Sequence, residues 1–453
     1  MADSASQDRN VVIIGAGIAG LAAAAKLVQA SIPVTILEAR DRIGGRIFTH
    51  RDPATPVPIE LGAEFIHGMA PEIIEPLKEM NAPIIEVEGD NWCFNHGQLE
   101  PCRFFAQVDK IMAQMDGKGP DESFLEFIER CFPNPKHDPD LEETKQHAIG
   151  YVAGFNAADP AEVGVHWLVR GMEAEERIQG QRAFRLLNGY AELVKFFGKR
   201  LQNSAAKIRT GAIVEQITWR PGHAKIRMHH AGSGSSIITA RKVLITLPLG
   251  VLKTRAEETG AVRFTPALPR QKIDAMDRLE MGKVIRVVLR FHHRFWEALH
   301  ASDSERKELG GMSFLFSDDE WFPTWWMTEP RHSPIITGWA PFRAGERLSG
   351  HNESFVVDRC LRSLGRLLQV TPAELQRELA AAHFHDWQSD PFSRGAYSYG
   401  KVGSDGAQQA LAAPLENTLF FAGEATDVSG NNGTVHGAIA SGQRAAEEIL
   451  RGL

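Results

Sequence analysis

Three glycines, Gly15, Gly17 and Gly20, follow the apolar run Val11–Ile14, and a carboxylate, Glu38, closes a second apolar run, Val34–Leu37. That order can hold a dinucleotide. Gly15 permits a tight turn, Gly17 (with Ala16 before it) lets backbone approach a pyrophosphate, and Gly20 lets a helix pack closely on a strand. A helix beginning at the turn would aim unpaired N–H groups and its positive dipole end at the phosphates. Glu38, followed by Ala39, can accept both hydroxyls of an adenosine ribose. A lone glycine turn is weak evidence, but strand, turn, helix, strand and acid in sequence form a specific signal.

The next residues lengthen the contact. Arg40, Arg42, Gly44, Gly45 and Arg46 make a basic, glycine-containing turn whose guanidinium groups suit phosphate oxygens. Far along the chain, Phe420-Phe421-Ala422-Gly423-Glu424-Ala425-Thr426 and Gly433-Thr434-Val435-His436-Gly437 have the texture needed to finish the same site. The two ends together point to FAD.

Composition sets the frame for these elements. A chain of 453 residues with 43% hydrophobic and 24% charged residues is expected to be a soluble enzyme of two or three domains. Its net charge of −7 argues against a nucleic-acid or anionic-membrane partner. The opening MADSASQDRN lacks the apolar core of a signal peptide, and no run is long and apolar enough to span a membrane. Cys93, Cys102, Cys131 and Cys360 have neither metal-like spacing nor the look of a disulfide framework, so a reduced, cytoplasmic protein is expected. His229-His230 and His292-His293 lack a second ligand pair, so no metal site is expected. The oligomeric state is not legible.

The texture changes along the chain. Residues 10–70 read as α/β, 71–205 as mostly helical, 206–255 as paired strands, 256–382 as mixed, and 383–453 as glycine-rich again. The expected fold class is α/β. A discontinuous Rossmann-like FAD-binding domain (10–70, 206–255 and 383–453) would carry an inserted α+β substrate domain (71–205 and 256–382).

Nine segments in one order carry a resemblance: VVIIGAGIAGLAAA, LEARDRIGGRI, ELGAEFIHG, VEQITW, LITLPLGVLK, MGKVIRV, HDWQSDPFSRGAYSY, LFFAGEATD and GTVHGAIASGQRAA. The sequence resembles the flavin-containing amine oxidases, which include monoamine, polyamine and L-amino-acid oxidases and lysine-specific histone demethylases. The resemblance implies a two-domain fold, bound FAD and oxidation of an amine. Hydride would pass from the amine α-carbon to flavin N5, giving an imine, and dioxygen would reoxidise the flavin to give hydrogen peroxide.

The resemblance also assigns roles. Gly15, Gly17, Gly20, Glu38, Arg40 and Arg46, with Gly45 beside them, would hold the adenosine and pyrophosphate. Leu61, Gly62, Ala63 and Glu64 would line the flavin, Val214 would contact adenine, and Trp387 would pack nearby. Gly423 and Glu424 would anchor the FAD chain, while Thr434, Val435 and Ala438 would start a helix aimed at the flavin pyrimidine. Lys283, in Met281-Gly282-Lys283, matches a lysine linked through water to flavin N5. Tyr397 would flank the amine, and His67 would stand at the channel. Ala396 replaces the cysteine that bonds the flavin in monoamine oxidases, so FAD is expected to be noncovalent. Thr434 replaces a second tyrosine of the monoamine oxidase cage, which favours a polyamine-type amine substrate. The alternatives are an L-amino-acid or monoamine oxidase, or a desaturase or dehydrogenase of a non-amine substrate; a flavoprotein that mainly binds partners is the least favoured. Glu173, Glu175 and Glu176 could attract a polycation, although a charge run is usually a solvated face.

Overall fold

The computed structural model describes residues 10–230, 234–299 and 309–453. The polar stretch 1–9, weighed above against a signal peptide, lies outside them.

A five-stranded parallel sheet takes its strands in the order Ala206–Arg209, Val34–Leu37, Val11–Ile14, Lys242–Ile245 and Leu419–Phe421. The central strand Val11–Ile14 is buried on both faces, as its unbroken apolar run predicts. Val11 and Ile13 pack with helices Ile18–Gln29 and Val435–Arg451. Val12 and Ile14 pack with Ile217, Trp219, Ile226 and Met228 of a four-stranded sheet over residues 212–265. The first and last helices meet at Gly442, where a Cβ would stand 2.2 Å from the Ala19 carbonyl oxygen. That contact seals the chain's two ends into one layer.

A seven-stranded sheet follows the order Leu379–Phe384, Val284–Phe291, Ile335–Pro341, Thr324–Trp326, Met312–Ser317, Asp90–Asn95 and Gln98–Pro101. Leu379–Phe384 is one strand, so the domain boundary expected at 382/383 falls inside it. Within Val284–Phe291, Ile285, Val287, Leu289 and Phe291 bury into a core shared with helix Glu353–Leu368. The alternate residues face the other way: Val288 packs on Ile59 and Leu61, Arg286 bonds residues 60–64, and Arg290 pairs with Asp52. One face of this strand therefore makes core, and the other meets the segment expected to line the flavin.

One expectation needs correction. Cys93 and Cys102 form a disulfide, with Cα atoms 5.5 Å apart, across the hairpin Asp90–Asn95/Gln98–Pro101. Their spacing gave no hint because the hairpin itself was not foreseen in a stretch read as helical. Cys131 and Cys360 are free. Among the described residues no group of side chains could hold a metal ion, and no helix is long and apolar enough to cross a membrane.

Candidate active site

The glycine turn is built by contacts that admit no side chain. Gly15 takes φ +104°, and a Cβ on Gly20 would lie 2.1 Å from the Gly15 carbonyl oxygen. Gly17 precedes helix Ile18–Gln29 without a side-chain cap, leaving the first-turn N–H groups for a ligand. The basic turn presses onto it: Gly44 N–H donates to the Ala16 carbonyl at 2.8 Å, and a Cβ on Gly45 would stand 3.1 Å from Gly17 Cα. Glu38 is buried at the strand end, where its carboxylate accepts from Ala16 N–H (2.7 Å) and Arg40 N–H (2.9 Å). Ala39 lies between those two partners in sequence. Buried Val214 follows closely, since its strand begins with Ala212 N–H bonded to the Glu38 carbonyl. The Arg40 guanidinium is fixed by Asp390 at 2.8 Å and lies 5.8 Å from the Trp387 ring. Trp387 in turn donates its indole N–H to the Leu61 carbonyl at 2.7 Å.

A second set of contacts joins the chain's ends. Arg46 donates to the Ala396 carbonyl (2.7 Å) and to Glu424 (3.0 Å). Buried Glu424 also accepts from Ser398 Oγ at 2.6 Å and Gly433 N–H at 3.1 Å. Ala63 N–H bonds the Arg46 carbonyl, and a Cβ on Gly62 would stand only 1.8 Å from that oxygen. Gly423, at φ +125°, donates to Ser441 Oγ at 2.9 Å. Thr434 caps helix Val435–Arg451: its hydroxyl accepts from Gly437 N–H and donates to the Asn431 carbonyl. Val435 and Ala438 belong to that helix's first turn.

Facing this cradle is a wall of charge and aromatic rings. Glu64 bridges Arg185 (2.7 Å) and Arg286 (2.9 Å) and accepts the Trp326 indole N–H at 3.1 Å. Arg286 also donates to the Glu60 and Gly62 carbonyls, while its Nε is buried without a partner. Rings of Trp326 and Trp339 lie 5.1 and 5.7 Å from its guanidinium, and Phe65 packs edge-on to Trp326. Burial pushes the Glu60 carboxyl up to about 7, against the pull of Tyr190 N–H and the Thr49 hydroxyl.

Tyr397 stands at the edge of this wall. Burial raises its pKa, and the nearby Arg286 charge pulls the other way. Its hydroxyl donates to the Phe155 carbonyl at 2.6 Å, and Trp339 donates to the Gly154 carbonyl at 3.0 Å. Two aromatic residues thus hold the C-terminus of helix Pro139–Phe155. Asn156, its C-cap residue, keeps a buried Oδ1 without a partner. His67 and His436 are neighbours, and burial lowers both imidazoles, His436 to about 4 with help from His67.

Lys283 is not brought to this wall. Its ammonium pairs with Glu346 at 2.5 Å, and its side chain is 46% exposed. Sequence reasoning also passes over Arg286, Arg185, Trp339, Trp326 and Asn156. One signal was available: in Val284–Phe291 the only polar residues, Arg286 and Arg290, stand four apart and so share a face.

These residues fit a flavin dinucleotide. The cradle closes on backbone where a Cβ would intrude, a helix start lies open, and buried polar atoms at Arg286, Asn156 and His436 lack partners. The comparisons point to a flavin. The family model described as "Flavin containing amine oxidoreductase" matches residues 18–450. "Lysine-specific histone demethylase 1 homolog 2" of Arabidopsis thaliana is 29% identical over 97% of this chain, which spans only 58% of that protein's length. "Polyamine oxidase 2" of the same plant is 25% identical over 97% of this chain and 87% of its own. The fold matches that of putrescine oxidase bound to putrescine, with a TM-score of 0.78, 19% identity and coverage of 98% and 99% of the two chains. Cyclohexylamine oxidase from Brevibacterium oxydans gives 0.74, at 20% identity and 98% coverage of each. The chain belongs to the flavin-containing amine oxidoreductase family and is a flavin-dependent amine oxidase.

Proposed function

We propose that the protein binds FAD noncovalently and oxidises a diamine or polyamine. The adenosine and pyrophosphate would lie on the turn of Gly15, Ala16, Gly17 and Gly20, with Glu38, Ala39, Arg40, Gly45, Arg46 and Val214 around them. Leu61, Gly62, Ala63, Glu64 and Trp387 would line the ring, and the helix beginning at Thr434, Val435 and Ala438 would face it. Ala396 offers no nucleophile for a covalent link. When bound, FAD supplies the oxidising equivalents that turn an amine C–N bond into an imine, with dioxygen as acceptor and hydrogen peroxide as product.

The chain's own part is to orient a cation. The observation that carries this substrate class is the helix end at Tyr397: the negative end of the helix dipole, the unpaired Asn156 Oδ1 and no basic residue in the last turn make a site that favours an ammonium group. Glu175 adds a second negative point. Its side chain is open to water, while the surrounding protein raises its pKa. It carries no ion pair among the described residues, and its charge acts on Tyr151, which also senses Tyr397. An amine with two cationic centres suits two separate acceptors. His67, kept neutral by burial, could accept a proton from substrate ammonium.

The test is anaerobic mixing of flavin-loaded protein with putrescine, spermidine, spermine, benzylamine, tyramine and L-amino acids. Bleaching of the flavin by the di- and polyamines is expected. Bleaching by L-amino acids or monoamines alone would overturn the substrate class. No bleaching, with FAD bound, would favour a desaturase or dehydrogenase of a non-amine substrate.

A further inference from the structure

The cation expected beside the flavin is Lys283, but strand geometry places that residue on the wrong face. Side chains alternate along Val284–Phe291, and the odd-numbered residues enter the core against helix Glu353–Leu368. Lys283 has that parity and pairs with Glu346 of the short helix Phe342–Leu348. The even-numbered face meets residues 52–64, and its innermost cation is Arg286, only 6% exposed.

We infer that Arg286 is the fixed cation at the flavin ring and that its Nε–H is the group left free to contact it. The inference rests on the proposed placement of the ring against Leu61–Glu64. Three of its contacts are already committed, to the Glu60 and Gly62 carbonyls and to Glu64. They hold the guanidinium beside the rings of Trp326 and Trp339. Nε alone remains a buried donor without an acceptor. Two-electron reduction places negative charge on a flavin, and a preorganised cation in a low-dielectric wall stabilises that charge. A guanidinium keeps its proton through the working pH range, so it supplies charge without acting as an acid or base.

The experiment compares flavin-loaded wild type with Arg286→Gln, Arg286→Lys and Lys283→Met. The readouts are flavin-to-protein ratio and the two-electron midpoint potential by dye equilibration. We expect Arg286→Gln to weaken reduction at least about tenfold, a shift of about 30 mV to more negative potential. Arg286→Lys should recover most of it, and Lys283→Met should leave the potential unchanged. A shift in Lys283→Met with none in Arg286→Gln would overturn the inference. So would flavin-loaded Arg286→Gln with wild-type potential. If Arg286→Gln fails to hold flavin, Arg286→Lys decides: a near wild-type potential upholds the inference, and one as low as expected for a lost cation overturns it. Wild-type protein that binds no flavin would overturn the proposed function and this inference together.

Discussion

The glycine cradle and the charged wall opposite it are built on different principles. The cradle is made of backbone: its contacts run between Gly15, Gly20, Ala16 and Gly44, all close in sequence. The wall is made of side chains from distant segments, with Glu64 joined to residues 121 and 222 positions away. A backbone site tolerates no added atom but needs no partner. A side-chain site tolerates reshaping but fails when one charge loses its complement.

The sharpest way to test that difference is Gly20→Ala. Its new Cβ would stand 2.1 Å from a backbone oxygen that cannot swing aside. The turn must open, and a loss of about 4 kcal/mol or more, together with flavin release, is expected. Thermal melts and the visible flavin spectrum check both. A flavin-loaded variant of wild-type stability would show that the cradle is not closed by backbone.

The wall should break differently. Glu64→Gln keeps size but turns one accepting oxygen into a donor and leaves Arg185 and Arg286 buried without their shared anion. Removing one partner of a buried pair costs about 3–5 kcal/mol. Flavin should remain bound, because the cradle is untouched. Denaturant melts beside flavin content would separate the two regions, and flavin loss equal to that of Gly20→Ala would erase the comparison.

The same contrast explains what the sequence revealed. Gly15 and Gly20 are legible because backbone geometry demands glycine there, and Gly17 and Glu38 because they complete the same spacing. Trp387 was singled out in the sequence, but its bond to the Leu61 carbonyl was not legible there. The seven-stranded sheet was seen only in parts, since its strands come from residues 90–101 and 284–384 and no local pattern announces that pairing. Arg286 escaped notice for a related reason. The Met-Gly-Lys triplet drew attention to Lys283, while the meaning of Arg286 depends on which strand face meets residues 52–64. Alternation within Val-Ile-Arg-Val-Val-Leu-Arg-Phe separates the two faces, but only tertiary structure says what each one meets.

Protons offer a finer probe, because each region holds a strongly displaced group of opposite sense. Glu60, in the wall, is raised from 4.5 to about 7, so over that range the folded state holds the extra proton and rising pH destabilises it. His436, on the cradle's last helix, is lowered from 6.5 to about 4, so over its range the unfolded chain holds the extra proton and falling pH destabilises the fold. Each contributes about 3 kcal/mol, with opposite slopes that cancel between pH 4.5 and 6.5. Glu60→Gln should therefore make the melting temperature rise with pH across that window, and His436→Gln should make it fall. Parallel profiles for the two variants would refute the assignment of opposing protons.

The smallest expected effect lies at the wall's outer edge. Glu175 is open to water, so its attraction for a distant ammonium is screened, and exposed pairs contribute about 0.2–1 kcal/mol. Glu175→Gln should raise KM for putrescine about two- to fivefold at low salt and leave kcat unchanged, since the acid sits away from the reacting carbon. Benzylamine, whose one cationic centre would on the proposed reading sit at the helix end near Asn156, should show no change. Added salt should shrink the putrescine effect, because the charge acts through water. An equal rise in KM for both amines would mean that Glu175 shapes the site and does not read a second charge. The backbone cradle would then stay fixed in its role, and substrate choice would rest on Tyr397 and the helix carbonyls alone.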